Sequence, residues 1–273
     1  MIVGLIGCGF IGQTIAKFID TEMQDDMELS AVYDDVREYA VQISQALRKT
    51  PRVADLAESI VSDDSIQLII EAASQKAAKL YVPKSLEAGK DVLLMSVGAL
   101  ADKMFLETIL STARRQKRRI YIPSGAIGGL DWIKAASQAG LSKVTITTRK
   151  PPLALDGSPY VVKHGINLSS IQTPKQIYEG PAIEAAALFP ANINVAVTLS
   201  LAGIGPEKTL VRVIADPTIT QNIHEIVAEG ATGKITVRVE NLASPTNPKT
   251  SWIAALSANE KLKQIVNPMS LGT

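Results

Sequence analysis

A glycine-rich segment near the start of the chain has the spacing of a phosphate-binding loop. Gly7, Gly9 and Gly12 fit the pattern G-x-G-x-x-G between an apolar strand-like run and a helix-like stretch. In that context the first glycine permits a tight turn, the second lets backbone approach a pyrophosphate, and the third lets helix and strand pack closely. Phe10 and Ile11 open the helix, whose N-terminal N–H groups can donate to an anion. The segment therefore predicts a dinucleotide site.

An acidic residue stands where a dinucleotide site needs one. The strand predicted at residues 29–33 ends at Asp34, where a carboxylate can accept hydrogen bonds from both hydroxyls of an adenosine ribose. A carboxylate repels a 2′-phosphate, which favours NAD over NADP. Arg37 lies close enough to weaken that preference, and Asp35 could share or replace the ribose contact. NAD is the predicted cofactor, and NADP stays possible.

Two further turns should face a ligand bound at the same edge of the sheet, and a third, glycine-rich segment could do so. Residues 71–74 and 96–99 each follow a predicted strand, and ligands of doubly wound sheets lie beyond the carboxyl ends of the strands. Ala73 is therefore a predicted cofactor contact, although each segment is also an ordinary strand-to-helix turn. The glycine-rich residues 124–131 predict either close approach of backbone to a ligand or a flexible hinge between domains.

The two histidines are the side chains suited to proton transfer near neutral pH. His224 lies in the alternating stretch 221–227, so it should project from one face of a strand together with Asn222 and Ile226. There an imidazole could accept a proton during oxidation of an amine or alcohol, but a lone histidine on a strand is more often structural. His164 lies in a less regular stretch. We take His224 as the candidate base.

The single cysteine, Cys8, excludes an intramolecular disulfide and any multi-cysteine metal site, and it fits a reducing compartment. Its place in the glycine loop indicates a small apolar residue rather than a nucleophile. No metal site is predicted. The chain enters an apolar strand at once, with no leader, and no run approaches the roughly 18 apolar residues of a membrane span. We expect a cytoplasmic protein.

Composition excludes other classes of function. The 273 residues include 28 Lys plus Arg and 27 Asp plus Glu, a formal charge of +1 that lacks the positive field typical of nucleic-acid or membrane binding. Apolar residues make up 46%, as in globular proteins, and the 4% of aromatic residues argues against base stacking. The predicted partner is a small molecule held by local charges.

The elements that must position these residues divide the chain in two. Up to about residue 140, short apolar strands alternate with helices, which predicts an α/β fold with a doubly wound parallel sheet of the Rossmann type. The predicted strands are residues 2–6, 29–33, 68–70, 92–95 and 120–122. The predicted helices are residues 11–21, 76–88 and 103–116.

The second half has a different character. Residues 143–148 and 234–239 alternate β-branched and polar side chains, which indicates longer, partly exposed antiparallel strands. An apolar helix is predicted from Asn192 to about residue 202, and a last helix, 250–265, could return to the first domain. We therefore predict a dinucleotide-binding domain, 1–140, and an α+β domain, 141–273.

Five motifs together resemble the L-aspartate dehydrogenase family, and they span almost the whole chain. They are the glycine loop and residues 125–131, 148–152, 189–196 and 222–226. The resemblance implies a Rossmann domain followed by an α+β domain that carries substrate contacts and forms a homodimer. It also implies oxidation of L-aspartate to iminoaspartate with NAD or NADP, which feeds pyridine-nucleotide biosynthesis. The reverse reaction, reductive amination of oxaloacetate with ammonia, uses the same site.

The resemblance also assigns residues. The catalytic histidine of the family falls on His224, and cofactor contacts fall on Ala126 and Asn192. By itself, Asn192 is equally a helix N-cap. The implied mechanism has neutral His224 take a proton from the substrate ammonium, directly or through water, while hydride leaves the α-carbon.

Two carboxylates of the substrate need cationic or N–H partners. Arg149, Lys150 and Lys163 are candidates by their place in the second domain, although each could be a solvated surface charge. Two alternatives stay open at this point. One is a related two-domain oxidoreductase of another small acidic or amino substrate, and the other is a non-catalytic NAD(H) sensor.

Overall fold

The computed structural model of the protein describes residues 1–190, 193–244 and 251–272. These residues form two compact units, Met1–Pro123 with Ala254–Ser270, and Ser124–Ile253 with the last residues of the chain. The sequence places a boundary near residue 140, whereas segment 124–140 belongs to the second unit. There the side chain of Asn241 donates a hydrogen bond to the backbone of Ala126 at 2.9 Å.

A parallel sheet forms the centre of the first unit. Its strands are β1 (Ile2–Ile6), β2 (Glu28–Tyr33), β3 (Arg52–Val53), β4 (Leu68–Glu71), β5 (Asp91–Leu94) and β6 (Ile120–Tyr121). The helices between them are α1 (Phe10–Glu22), α2 (Arg37–Ala46), α3 (Glu58–Val61), α4 (Gln75–Glu87) and α5 (Lys103–Gln116). The six strands stand in the order β3-β2-β1-β4-β5-β6, and all pairs are parallel. This order is that of the Rossmann fold, so the predicted fold class is confirmed.

Burial on both faces explains the uninterrupted apolar run at residues 68–70 of the central strand β4. In β4, Leu68 and Ile70 belong to one hydrophobic core, whereas Ile69 belongs to the core on the opposite face. Each such side chain contributes about 1.5–3 kcal/mol on full burial. A run buried on both faces is typical of a parallel sheet flanked by helices.

Local signals set the ends of the helices that approach the carboxyl edge of this sheet. The Ser74 hydroxyl caps α4 by accepting a hydrogen bond from the backbone of Ala77 at 3.1 Å. The helix stops before Gly89, which has a φ of +73°, the left-handed conformation that favours glycine. Asp102 caps α5 in the same way as Ser74 caps α4.

The second unit is built on a five-stranded mixed sheet. Its strands are β7 (Leu141–Lys150), β8 (Lys175–Pro181), β9 (Leu210–Ala215), β10 (Asn222–Gly230) and β11 (Gly233–Asn241), in the order β11-β10-β7-β9-β8. Its helices are α6 (Leu130–Ser137), α7 (Pro159–Lys163), α8 (Ala182–Leu188) and α9 (Asn194–Ala202). The last helix of the chain, α10 (Trp252–Val266), contributes Ala258 and Leu262 to the core of the first unit.

The strand β7 corrects one expectation. Only antiparallel character was predicted for it, whereas it pairs antiparallel with β10 and parallel with β9. The long connection between β7 and β9 makes this possible, because a parallel pair needs a crossover of a dozen or more residues. In β9, alternate residues are buried and half-buried, so the two faces of the sheet differ in exposure.

Among the described helices, none combines the length and the apolar character needed to cross a membrane.

Candidate active site

The glycine loop has the geometry that its spacing predicts. Gly7 has a φ of +102°, and a Cβ there would lie 2.5 Å from the carbonyl carbon of Ala72. A Cβ on Gly12 would lie 2.0 Å from the carbonyl oxygen of Gly7, so only glycine lets α1 pack this closely on the loop. A Cβ on Gly9 would meet no described atom within 4 Å. Two of the glycines are required by the protein itself, whereas Gly9 faces open space where a ligand can approach.

The N-terminus of α1, directly after the glycine loop, has backbone N–H groups that could bind an anion. Gly9 is the N-cap residue, no side chain caps the helix, and its first turn, which includes Phe10 and Ile11, contains no acidic residue. The first N–H groups of a helix lack partners within the helix, and the helix dipole makes them attractive to a phosphate. The residues of the loop therefore fit the pyrophosphate of a dinucleotide.

Asp34 is held against this loop by two backbone groups. Its Oδ2 accepts a hydrogen bond from the Cys8 N–H at 2.7 Å, and its Oδ1 accepts one from the Val36 N–H at 2.9 Å. Each carboxylate oxygen has two acceptor sites, so a ribose hydroxyl can still donate to either oxygen. The arrangement fits the ribose contact predicted for Asp34.

The two residues that complicate the coenzyme prediction are engaged elsewhere. Asp35 accepts a hydrogen bond from the Tyr33 hydroxyl at 2.9 Å. Arg37 forms an ion pair with Asp55, and both side chains are more than half exposed. An exposed pair of this kind contributes little free energy, so it does not prevent Arg37 from reorienting.

Cys8 is not poised as a nucleophile. The side chain is fully buried, and burial, with a smaller contribution from the Asp34 charge, raises the pKa of the thiol to about 12. Its Sγ lies 3.5 Å from the carbonyl oxygen of Tyr33. The thiolate is the reactive form of cysteine, so this residue serves as a small apolar member of the loop.

Ala73 lies beside the glycine loop, in the turn between β4 and α4. A Cβ on Gly7 would lie 2.6 Å from the backbone nitrogen of Ala73. The Ala73 N–H donates to Glu71, a buried residue that sequence analysis did not single out. The feature of the sequence that could have identified Glu71 is its charge at the end of the otherwise apolar strand β4.

In the second unit, His224 lies on β10 with its side chain almost fully buried, at 3% exposure. Its backbone pairs with Thr148 on β7, and its Nδ1 lies 3.0 Å from the Thr148 Oγ1. Asn222 shares the face of β10 and donates a hydrogen bond to Ser251 at 3.1 Å. The shared face of Asn222 and His224 follows the predicted alternation, whereas Thr148 becomes a neighbour only through strand pairing.

Burial and a nearby positive charge keep the His224 imidazole neutral on this face of the second sheet. Burial, and secondly the charge of Lys150, lower the pKa of His224 from 6.5 to about 3. Burial also lowers the pKa of Lys150, to about 8. At neutral pH the face therefore carries a neutral imidazole and a predominantly protonated ammonium.

The structure separates the three candidate cations. Lys150 lies two residues after Thr148 on β7 and is buried on the His224 side of the sheet, because alternate residues of a strand share a face. Arg149 points to the opposite face and lies 3.8 Å from Asp216 in an ion pair. Lys163 is exposed at the end of α7.

The other predicted residues of the second unit are placed as follows. Ala126 is buried in the turn before α6, and its carbonyl oxygen accepts the hydrogen bond from Asn241. Asn192 lies outside the described residues. His164 is exposed and stacks on Tyr160, with ring centroids 4.2 Å apart. Within the described part of the chain, no three His, Cys, Asp or Glu side chains form a cluster suited to a metal ion.

Comparisons with known families match both halves of the chain. The family described as "Aspartate dehydrogenase, C-terminal" matches residues 131–265. The family described as "Homoserine dehydrogenase, NAD binding domain" matches residues 7–123. The first unit is thus similar to nicotinamide-dinucleotide domains, in agreement with its glycine loop.

Full-length relatives agree with these matches. An L-aspartate dehydrogenase of Methanosarcina mazei is 49% identical over 271 residues, which are 99% of each chain. One of Nitrosopumilus maritimus is 41% identical over 96% of this chain and 95% of its own. The crystal structure of aspartate dehydrogenase from Thermotoga maritima aligns with a TM-score of 0.77 at 28% identity, covering 100% of this chain and 99% of that one.

Proposed function

The chain belongs to the L-aspartate dehydrogenase family, and from that premise we propose that it oxidises L-aspartate to iminoaspartate with NAD. As a member of this family it is an oxidoreductase of CH–NH2 groups. The proposal for individual residues rests on one observation. A neutral His224 and a charged Lys150 lie on the same face of the second sheet. The reverse reaction, amination of oxaloacetate, uses the same groups.

His224 is the proposed base. If its Nδ1–H donates to the Thr148 hydroxyl, its Nε2 is left as the acceptor for a proton from the substrate ammonium. Thr148 thus acts as the positioning residue that holds the imidazole ring through Nδ1. The bound nicotinamide supplies the acceptor for the hydride of the α-carbon.

Lys150 is the proposed partner of a substrate carboxylate. Its ammonium is buried, where an ion pair with a carboxylate is screened less than at the surface. A bound carboxylate offsets the charge that lowers the pKa of His224, so binding of a dicarboxylate raises the basicity of the imidazole. Substrate binding and activation of the base are thereby coupled.

For the cofactor site we propose Gly7, Gly9, Phe10, Ile11 and Gly12 at the pyrophosphate. Asp34 is the proposed contact to the adenosine ribose, Ala73 is a proposed contact in the turn after β4, and the family resemblance adds Ala126 and Asn192 as proposed cofactor contacts. The Asp34 carboxylate, anchored by two backbone amides, supports NAD as the preferred coenzyme. NADP use would require the exposed Arg37 to leave Asp55.

We propose that the active molecule is a homodimer in the cytoplasm, where iminoaspartate is available for pyridine-nucleotide biosynthesis. The half-buried face of the second sheet carries apolar and charged side chains together, among them Ile214, Val227 and the Arg212–Glu179 pair. A second copy of the chain, bearing the same mixed surface, fits this face.

Initial rates of NADH or NADPH formation test the proposal. We expect reduction with L-aspartate, faster with NAD than with NADP, and no reduction with L-glutamate, L-homoserine or L-malate. If aspartate is inert and one of those three is oxidised, that compound replaces aspartate as the proposed substrate. Binding of NADH without turnover of any of the four would exclude the enzymatic role.

A further inference from the structure

Glu71 is the charged residue at the end of β4, and its side chain is fully buried. Its Oε1 accepts hydrogen bonds from the Ala73 N–H at 2.9 Å, the Ser74 N–H at 3.0 Å and the Ser96 hydroxyl at 2.9 Å. Its Oε2 accepts one from the Ser96 N–H at 3.0 Å. Four donors thus converge on one carboxyl group.

These donors match the ionised form of the side chain. Three are backbone N–H groups, which cannot become acceptors, and a proton on the carboxyl would compete with them. Burial raises the pKa of Glu71, while the hydrogen bonds from Ala73 and Ser96 oppose that rise. Burying a carboxylate is costly unless hydrogen bonds replace its lost water, and the four donors supply that replacement here.

The donors belong to two different turns. Ala73 and Ser74 lie between β4 and α4, whereas Ser96 follows the neighbouring strand β5. Both turns lie at the carboxyl edge of the sheet, where ligands of this fold bind. The glycine loop and Asp34 follow β1 and β2, the half of the fold that binds the adenosine nucleotide. The turns after β4 and β5 belong to the half that binds the nicotinamide nucleotide.

We propose that Glu71 is a positioning residue for the nicotinamide half of the dinucleotide, acting through the turns that contain Ala73 and Ser96. The backbone ladder between the two strands ends with the hydrogen bond from the Met95 N–H to the Glu71 carbonyl oxygen at 2.9 Å, and beyond it the Glu71 side chain joins the two turns. The inference rests on the proposed cofactor site, and it assigns Glu71 a role apart from the adenosine half.

The test compares binding of NADH with binding of ADP, which represents the adenosine half alone. Glu71→Gln keeps the shape of the side chain but turns an NH2 group toward at least one N–H donor. We expect the NADH dissociation constant to rise about tenfold, the effect of leaving buried donors without an acceptor. ADP affinity should change less than about twofold. Calorimetry measures both, and Glu87→Gln, at an exposed carboxylate of α4, is the matched control.

Ser96→Ala gives a second measurement that does not depend on Glu71 variants folding. It removes one hydroxyl donor and leaves the Ser96 N–H in place, so NADH should bind about threefold more weakly and ADP unchanged. Unchanged NADH affinity in both variants, or equal losses for NADH and ADP, would overturn the role of Glu71. Wild-type protein that binds ADP but not NADH would instead overturn the proposed cofactor.

Discussion

At His224, two neighbours control what the imidazole can do. Thr148 occupies Nδ1 through a 3.0 Å hydrogen bond, and burial, together with a smaller contribution from the charge of Lys150, holds the pKa of the imidazole well below its ordinary value. The ligand-free protein therefore carries a neutral but weak base. In the mechanism that we propose, a dicarboxylate paired with Lys150 makes the imidazole a stronger base, which would link substrate recognition to proton transfer.

Replacing His224 tests its role as the base. We expect His224→Ala to lower kcat by about 10²- to 10⁴-fold, the usual range for loss of a general base. NADH affinity should stay within about twofold of wild type, because the glycine loop is untouched. His164→Ala, at the exposed histidine, should retain full turnover. Wild-type turnover in His224→Ala would remove the residue from the mechanism.

Replacing Lys150 separates substrate binding from chemistry. Lys150→Met keeps the length and the buried stem of the side chain but removes the charge. We expect KM for aspartate to rise about tenfold or more, with NADH affinity unchanged, since a charged hydrogen bond to the substrate contributes about 1.5–3 kcal/mol. Lys163→Met at the exposed lysine is the control. Similar KM values for the two variants would show that Lys150 does not hold the substrate.

At the scale of elements, the packing of β1, the glycine loop and α1 determines whether a dinucleotide can approach. Gly12 and Gly9 differ in how much space a side chain would have there. A Cβ on Gly12 would meet the Gly7 carbonyl oxygen, so the helix would have to move away from the loop. A Cβ on Gly9 would point into open space.

The two alanine variants should therefore differ in what they damage. Gly12→Ala should lower the free energy of unfolding by about 1–3 kcal/mol, as overpacking does, and should weaken NADH binding as well. Gly9→Ala should leave unfolding almost unchanged and weaken NADH binding alone. Denaturant titration and NADH fluorescence measure the two effects. Equal stability losses in the two variants would argue against distinct roles.

At the scale of the whole molecule, the buried state of His224 makes the stability of the second unit depend on pH. The folded pKa of about 3 lies below the ordinary value of 6.5, so between these values the unfolded chain binds the proton and the folded chain does not. The contribution of His224 to the unfolding free energy is fully present well above pH 6.5. It falls as the pH drops toward 3, by up to about 1.4 kcal/mol per pH unit.

Urea titrations between pH 4.5 and 8 check this dependence. The difference in unfolding free energy between wild type and His224→Gln should be constant above pH 6.5 and decline below it. A difference that stays flat down to pH 4.5 would mean that His224 is protonated in the folded state or not buried.

The proposed dimer is also a property of the whole molecule. Light scattering at micromolar concentration should give twice the chain mass of 29.1 kDa. Ile214→Glu should shift that value toward one chain, because it buries a charge in the proposed contact face. Leu80→Glu, at an exposed leucine of α4, should leave the dimer intact. A wild-type mass of one chain would exclude the dimer.

The sequence by itself determined the features that depend on near neighbours along the chain. The three glycines, the acidic residue after the second strand and the apolar run of β4 each express a local steric or burial requirement. The helix α5 spans the predicted residues because its cap and its periodicity are local as well. The short strand β3 and the helices α2 and α3 have weaker local signals and were not predicted from the sequence.

Only the tertiary structure decided which distant residues meet. Thr148 and His224 are 76 residues apart in the chain, and the pairing of β7 with β10 puts them on one face. The same register separates Lys150 from Arg149, although the two are adjacent in sequence. Glu71 finds Ser96 only because β4 and β5 are neighbours in the sheet. Strand order and register arise from burial summed over the whole chain, which no local pattern contains.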